Sequence, residues 1–193
     1  MNDKIREIMN NIEEMKKKLL SEIQKHEKNV SYEIQNGYVR FEKEVVKKQK
    51  ENMKHILAYL KDVPLLHLIS SPIIYGMIIP AVFFDIILFM YQNIIFRIYK
   101  FEFVKRSDYI VFDRQYLGYL NFIEKLNCIY CSYFNGLMHY AAAIAGRTEL
   151  YFCPIKHAKK IMYEHIHYKD FLVYGDDEYQ NKLKELRDKF QVK

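Results

Sequence analysis

The chain of 193 residues carries 30 Lys and Arg against 24 Asp and Glu, a net charge of +6, with 50% of its residues hydrophobic and 28% charged. That length holds one compact domain and an appendage, and the apolar fraction excludes disorder throughout. With 3 Cys, 6 Gly and 4 Pro it is not a disulfide-stapled secreted module, a fibrous protein or a low-complexity chain.

The apolar residues are unevenly spread, and four parts follow from their distribution. A Lys/Glu-rich helical arm covers 1–62, an apolar segment 63–99, an aromatic-rich Cys/His module 100–174, and a C-terminal amphipathic helix 175–193. The expected fold is mainly α. It comprises N-terminal coiled-coil-like helices, an apolar membrane helix or re-entrant hairpin, and a small helical metal-binding module.

The opening residues read as the start of a helix and not as a signal peptide. Ile5, Ile8, Ile12, Met15 and Leu19 alternate steps of three and four, the seam of a two-stranded coil. The rhythm lapses, then resumes with Val30, Ile34, Phe41 and Val45; Asn36-Gly37 marks the expected break, giving an interrupted helix or a helical hairpin. The stripe would pack on its own C-terminal half or self-associate as a homo-oligomer through residues 1–60. Glu interleaves with Lys at helical ion-pair spacing, which leaves no basic stripe for nucleic acid.

From Val63 to Phe84 there is no Asp, Glu, Lys or Arg; Asp85 interrupts, and the apolar run continues to Phe96. A helix crossing the hydrocarbon core needs about 20 apolar residues, so membrane insertion is the expectation. Two arrangements fit: a tilted span from about Pro72 to Phe96, or a shallow or re-entrant hairpin broken at Pro80, where proline removes a backbone donor. Asp85 at a bilayer centre would cost about 2.5–3.5 kcal/mol unless it faces protein, water or the interface. Basic residues flank both ends (Lys47, Lys48, Lys50, Lys54 and Lys61 before, Arg97, Lys100, Lys105 and Arg106 after), which favours both ends on one face.

Beyond a strand-like run at Tyr109–Phe112, Asp113 reads as the N-cap of a helix running to Ala145, with Gly146 as its C-terminal stop. On that helix Glu124, Cys128, Cys131 and Asn135 share a face, with Asn127 beside them. Cys153-Pro154 reads as the start of the next helix, which would favour a Cys153 thiolate and place His157 one turn on. Cys-x2-Cys followed downstream by Cys-x3-His supplies four soft or borderline ligands, so Cys128, Cys131, Cys153 and His157 are the expected metal ligands, with zinc the expected ion. Iron or an iron–sulfur cluster is the alternative.

Glu124 and Glu149 each precede a cysteine by four and are candidate acid/base groups. Arg147 would pair with one of them or hold an anionic headgroup or phosphate. Glu164 and His167 read as surface residues.

Asp113-Arg114, Tyr119-Leu120-Asn121, Glu124 through Cys131, Tyr133, Asn135-Gly136, Arg147-Thr148-Glu149 and Cys153-Pro154-Ile155-Lys156-His157-Ala158 together resemble a family of small bacterial membrane-associated proteins of unassigned function. The likeness extends over about residues 64–168, and Pro72, Tyr75, Pro80, Asp85 and Tyr91 look like that family's apolar segment. It implies membrane association, with membrane lipid as a partner, and treatment of the cysteines and His157 as a unit. The expected location is the bacterial inner membrane with the Cys/His module on the cytoplasmic side.

In the tail, Gly175 followed by Asp176-Asp177-Glu178 opens a last helix whose stripe is Tyr179, Leu183, Leu186 and Phe190. The functional expectation is a membrane-associated, zinc-stabilised adaptor or scaffold with an unidentified protein partner. The alternatives are a membrane-surface enzyme using Glu124 or Glu149 with Arg147, on a lipid-linked or anionic substrate, or an iron-dependent redox protein.

Overall fold

The computed structural model describes residues 3–27, 32–35, 38–41 and 43–190 and is mainly helical. Two compact units emerge: one takes its described residues from Met1–Lys54 together with Tyr116–Asn121, the other is His55–Gln115 with Phe122–Lys193.

The first unit opens with α1 (Asp3–Glu27). Its stripe residues Ile8, Ile12, Met15 and Leu19 are all exposed. The helical rhythm expected to resume after it is replaced by a two-stranded antiparallel ladder, β1 (Tyr32–Gln35) and β2 (Tyr38–Phe41), in the register Tyr32↔Phe41 through Gln35↔Tyr38. Asn36-Gly37 lies outside the described residues, as does Val30. Helix α2 (Lys43–Glu51) follows, and the Tyr116–Asn121 leg lies against it: the Gly118 N–H donates to Gln49 Oε1 at 2.8 Å, where a Cβ on Gly118 would meet the Gln49 side chain.

The second unit begins with α3 (Ile56–Asp62) and then the apolar helix. That helix is continuous over Leu65–Tyr99. It is assembled from α4 (Leu65–Gly76), a joint at Met77, α5 (Ile78–Tyr91), a π-helical turn (Gln92–Phe96) and α6 (Arg97–Tyr99). The break expected at Pro80 does not occur, because Pro80 falls in the first turn after the joint, where its missing N–H costs least. Pro72 sits inside α4; the Leu68 carbonyl it cannot bond accepts instead from Ser71 Oγ at 2.8 Å. Lys100, in the left-handed region at φ 55°, ends the helix and turns the chain back, with the Phe101 N–H on the Phe96 carbonyl at 2.8 Å.

The return segment, residues 100–115, carries only short 3₁₀ turns, so neither the strand expected at 109–112 nor the helix expected from Asp113 forms. It runs back along the apolar helix. Gln92, 6% exposed, takes both the N–H and the C=O of Val104, and Arg106 reaches Asp85.

Helix α7 (Phe122–Phe152) then runs parallel to the apolar helix. The contacts advance in step: Tyr75 with Asn127, Tyr130 with Ile74, Tyr133 with Asp85, Tyr91 with Thr148, Tyr99 with Phe152. Between the two helices and the return segment lies the core of Leu88, Phe96, Phe101, Val104, Ile110, Leu137, Tyr140 and Ile144. Gly136 is the crossing point, since a Cβ there would stand 2.6 Å from the Tyr109 carbonyl oxygen.

Gly146 does not stop α7, which continues to Phe152. Its missing side chain makes room for the His165 ring, 2.5 Å from where a Cβ would sit. Residues 153–178 wrap back over the end of α7, joined by a parallel bridge between Ile155 and Leu172. Helix α8 (Tyr179–Phe190) begins after the acids expected to open it and docks there, with Leu183 buried and Leu186 against the Leu150, Tyr168 and Phe171 cluster.

Candidate functional site

The four expected metal ligands do not converge. Cys128 and Cys131 project from the first part of α7, while Cys153 follows directly on its last turn, its N–H on the Glu149 carbonyl at 2.8 Å. An unbroken helix at 1.5 Å per residue puts Cys131 and Cys153 about 33 Å apart. No ion can bridge that distance. Cys131, Cys153 and His157 are exposed and Cys128 is partly so. Among the described residues no group of three or more His, Cys, Asp or Glu side chains is placed to hold a metal ion. The same separation removes the iron–sulfur alternative for these cysteines.

The physical reason is the fate of Gly146 and Pro154. Gly146 leaves α7 intact, so the helix that was to end before Cys153 carries it to the far end. Pro154 begins no helix: it is fully buried in the irregular segment, and its carbonyl accepts from Leu172 at 2.8 Å. Cys153 therefore stands at the C-terminal end of a helix, and the N-terminal field expected at its thiol is not there.

Asn127, beside the expected ligand face, is engaged by the Tyr75 hydroxyl. Asn135 donates to its own helix at the Cys131 carbonyl, at 3.0 Å. Part of that polar stripe is thus satisfied without a metal. Glu124 is partly buried near the start of α7, remote from the polar groups at the other end.

The groups that do come together sit at the end of α7, where residues 161–171 fold over it. Arg147 pairs with Glu102 of the return segment, Nη2 to Oε2 at 2.9 Å, and with neither Glu149 nor Glu124. Arg147 is 23% exposed against 68% for Glu102, so the cation is fixed while its partner stands mostly in water. Two residues further along α7, Glu149 Oε2 lies 3.2 Å from His165 Nε2. His165 Nδ1 accepts the backbone N–H of His167 at 3.2 Å, which leaves Nε2 to carry the proton toward Glu149. Tyr168 and Phe171 pack edge-on against the His165 ring.

His167 is not a surface residue. It is partly buried and lines a cavity of about 250 Å³ together with Arg147, Glu102, Lys105, Asp108 and Tyr109. Burial, then the positive charge of Arg147, holds its imidazole below the ordinary histidine range. Sequence reasoning missed His165 and Glu102 altogether. The His165-x-His167 pair and the glycine at 146 were the available signals, but only the fold brings them together.

A second polar cluster ties the helices mid-length. Arg106 Nη2 and Nε meet Asp85 Oδ2 and Oδ1 at 2.7 and 3.3 Å, and the Tyr133 hydroxyl donates to Oδ2 at 3.0 Å. Asp85 therefore faces protein, with Arg106 held more firmly protonated by that bond and Tyr133 pushed up by burial and by Asp85.

Along the apolar helix the opposite condition holds. Leu65, Leu66, Ile69, Ile73, Ile79, Phe83, Phe89 and Ile98 are each more than three-fifths exposed, and only 11% of its most apolar stretch is buried. By length and composition this helix is able to cross a membrane.

Compared with protein families, with curated proteins and with solved structures, the chain matches none.

Proposed function

We propose that the protein is a membrane-associated scaffold whose apolar helix lies along the bilayer surface, its exposed face in the acyl region, without crossing. The observation that carries this reading is the 35-residue apolar helix left largely uncovered. A helix in the core of a soluble fold is mostly buried, and soluble monomers leave patches of at most a few hundred Å².

The return segment argues against a crossing. It runs beside the helix, and exposed Lys105, Arg106 and Asp108 stand near the level of Asp85, halfway along. In a spanning orientation they would lie near the bilayer centre, at about 2.5–3.5 kcal/mol each, and non-helical backbone would cross the hydrocarbon. Laid flat, the apolar face meets lipid and the return segment meets water. Basic Lys61 and Arg97, at the two ends, then both reach the headgroups. Zinc has no part in this reading, because its ligands are apart.

The scaffold reading rests further on α1, whose exposed Ile8, Ile12, Met15 and Leu19 seam has the three-four spacing of a self-pairing helix. An enzyme reading is favoured by one observation, the Glu149–His165 contact, which singles out Glu149 over Glu124 as the acid/base group.

The test is topology. In a protein stripped of its three cysteines, single cysteines are placed at Lys61 and Lys100 and challenged with an impermeant maleimide from one side of sealed vesicles. Both label together in the flat arrangement, and only one labels in a spanning one. A protein that stays in solution without detergent and ignores vesicles overturns the reading. Glu149→Gln separates scaffold from enzyme: a scaffold keeps its cellular effect and its fold, whereas an enzyme keeps only the fold.

A further inference from the structure

The cavity beside Arg147 has features that membrane attachment does not require. Its wall gathers Arg147 and Lys105 as cations, His167 as a titratable donor, and Glu102 and Asp108 as acids. Its volume of about 250 Å³ admits a small organic ion. Arg147 is largely buried, so its guanidinium cannot follow water outward, yet its partner Glu102 is mostly solvated. Returning Glu102 to water costs little, whereas leaving Arg147 without a counter-charge costs much. The ion pair is therefore built for exchange: an incoming anion replaces Glu102 at a cation already in place. The guanidinium fork matches the paired oxygens of a phosphate.

We propose that this cavity binds the phosphate group of a small phosphate ester, held by Arg147, Lys105 and His167 in place of Glu102. The reading stands apart from the membrane proposal, since it rests on the end of α7 and not on the apolar face.

Exchange has a pH signature. The groups around His167 are Arg147, His165, Asp170 and Glu102, with Lys105, Asp108 and Tyr109 on the cavity wall. Burial and Arg147 disfavour its charged form in the free protein. A bound dianion screens Arg147 and attracts the imidazolium, so binding takes up a proton and tightens as pH falls through the histidine range. Glu102 and Asp108 oppose the ligand, so removing either charge tightens binding.

The experiment is calorimetric titration of the full chain in mild detergent with glycerol 3-phosphate and with inorganic phosphate, at about pH 6 and about pH 8, either side of the histidine range. Expected are binding at millimolar concentration or below, tighter at the lower pH, and a gain of about threefold or more in Glu102→Gln, where no carboxylate competes. Arg147→Gln should lose about tenfold or more, the worth of a charge-assisted bidentate contact. His167→Gln should keep the binding seen at the higher pH and lose the gain at the lower. Should Arg147→Gln fail to fold, Arg147→Lys serves, with intermediate affinity expected because the charge stays and the fork is lost.

Phosphatidylglycerol vesicles identify the source of the phosphate. Soluble-ester binding lost in Arg147→Gln with vesicle affinity unchanged assigns a free metabolite, and loss of both assigns a lipid headgroup. No heat with either soluble probe and unchanged vesicle binding in Arg147→Gln would overturn the site. Weaker binding in Glu102→Gln would overturn the exchange.

Discussion

Arg106 grips both oxygens of the Asp85 carboxylate, at 2.7 and 3.3 Å, and so returns a loop cation to the one acid of the apolar helix. The Asp85 side chain is 16% exposed and that of Arg106 46%. The pair also fixes where the return segment lies, because Arg106 is at its middle. Removing Arg106 strands a mostly buried carboxylate with only the Tyr133 hydroxyl, whereas replacing Asp85 by Asn leaves an acceptor for Tyr133 and no stranded charge. Arg106→Ala is therefore expected to cost about 1–2 kcal/mol, the low part of the range for charged bonds because Arg106 is half in water. Asp85→Asn should cost less. Thermal unfolding of both variants and of the double variant checks this: the double variant should lie nearer Asp85→Asn than the sum of the two.

Glycines divide into those pressed by a neighbour and those in open space. A Cβ at Gly136 would stand 2.6 Å from a backbone carbonyl oxygen and 2.9 Å from Ile110 Cα, neither of which yields cheaply, whereas nothing lies within 4 Å of one at Gly76. Gly136→Ala should destabilise by about 1–3 kcal/mol, as overpacking does. Gly76→Ala, at the end of α4, should be neutral or stabilising by up to about 1 kcal/mol through helix propensity. Equal losses at both positions would refute the crossing at Gly136.

These glycines also show what sequence patterning reaches. The apolar segment was legible because its signal is local, a charge-free run. The same holds for the last helix, whose Leu183 and Leu186 do pack inward. Gly146 was misread because chain-local chemistry makes glycine a stop signal, while here a histidine distant in sequence occupies its space. With that one boundary went the metal site, since Cys153 and His157 were carried away from Cys128 and Cys131. The ladder at Tyr32–Phe41 was missed for a related reason. Asn-Gly between β-favouring residues is a hairpin signal, but the apolar residues nearby happen to be spaced to suit a helix as well. Arg147 was expected to pair with Glu149 or Glu124, and its actual partner, Glu102, could be found only once the return segment was placed.

The separation along α7 makes a direct prediction for the thiols. Cys131 and Cys153 cannot be joined through an ion or a disulfide while α7 is intact, since disulfide-bonded Cα atoms lie within about 7 Å. Cys128→Ser should leave thermal stability and metal content as they are in the parent. In the folded protein both Cys131 and Cys153 should react with a small maleimide, with Cys128, partly shielded, reacting more slowly. One zinc per chain, lost in Cys128→Ser together with stability, would mean that α7 breaks in solution.

His167 gives stability a pH dependence whose direction is fixed by its surroundings. Burial and Arg147 lower its pKa in the folded chain, while in the unfolded chain it titrates near about 6.5. Between the two values the unfolded state holds the extra proton, so acidification favours unfolding. Its contribution is fully present above the unfolded value and is lost as pH falls from there through the folded one. Asp176, also lowered, by its bond to Lys182, acts only below the carboxylate value of 3.8 and leaves this window alone. Thermal unfolding without phosphate should therefore show a midpoint that declines as pH drops below about 6.5, with the decline shallower in His167→Gln. Added glycerol 3-phosphate should reverse part of the decline, because an anion in the cavity makes the charged imidazole welcome. A midpoint that rises on acidification in the absence of phosphate would mean that folding, and not the ligand, already provides His167 with an anionic partner.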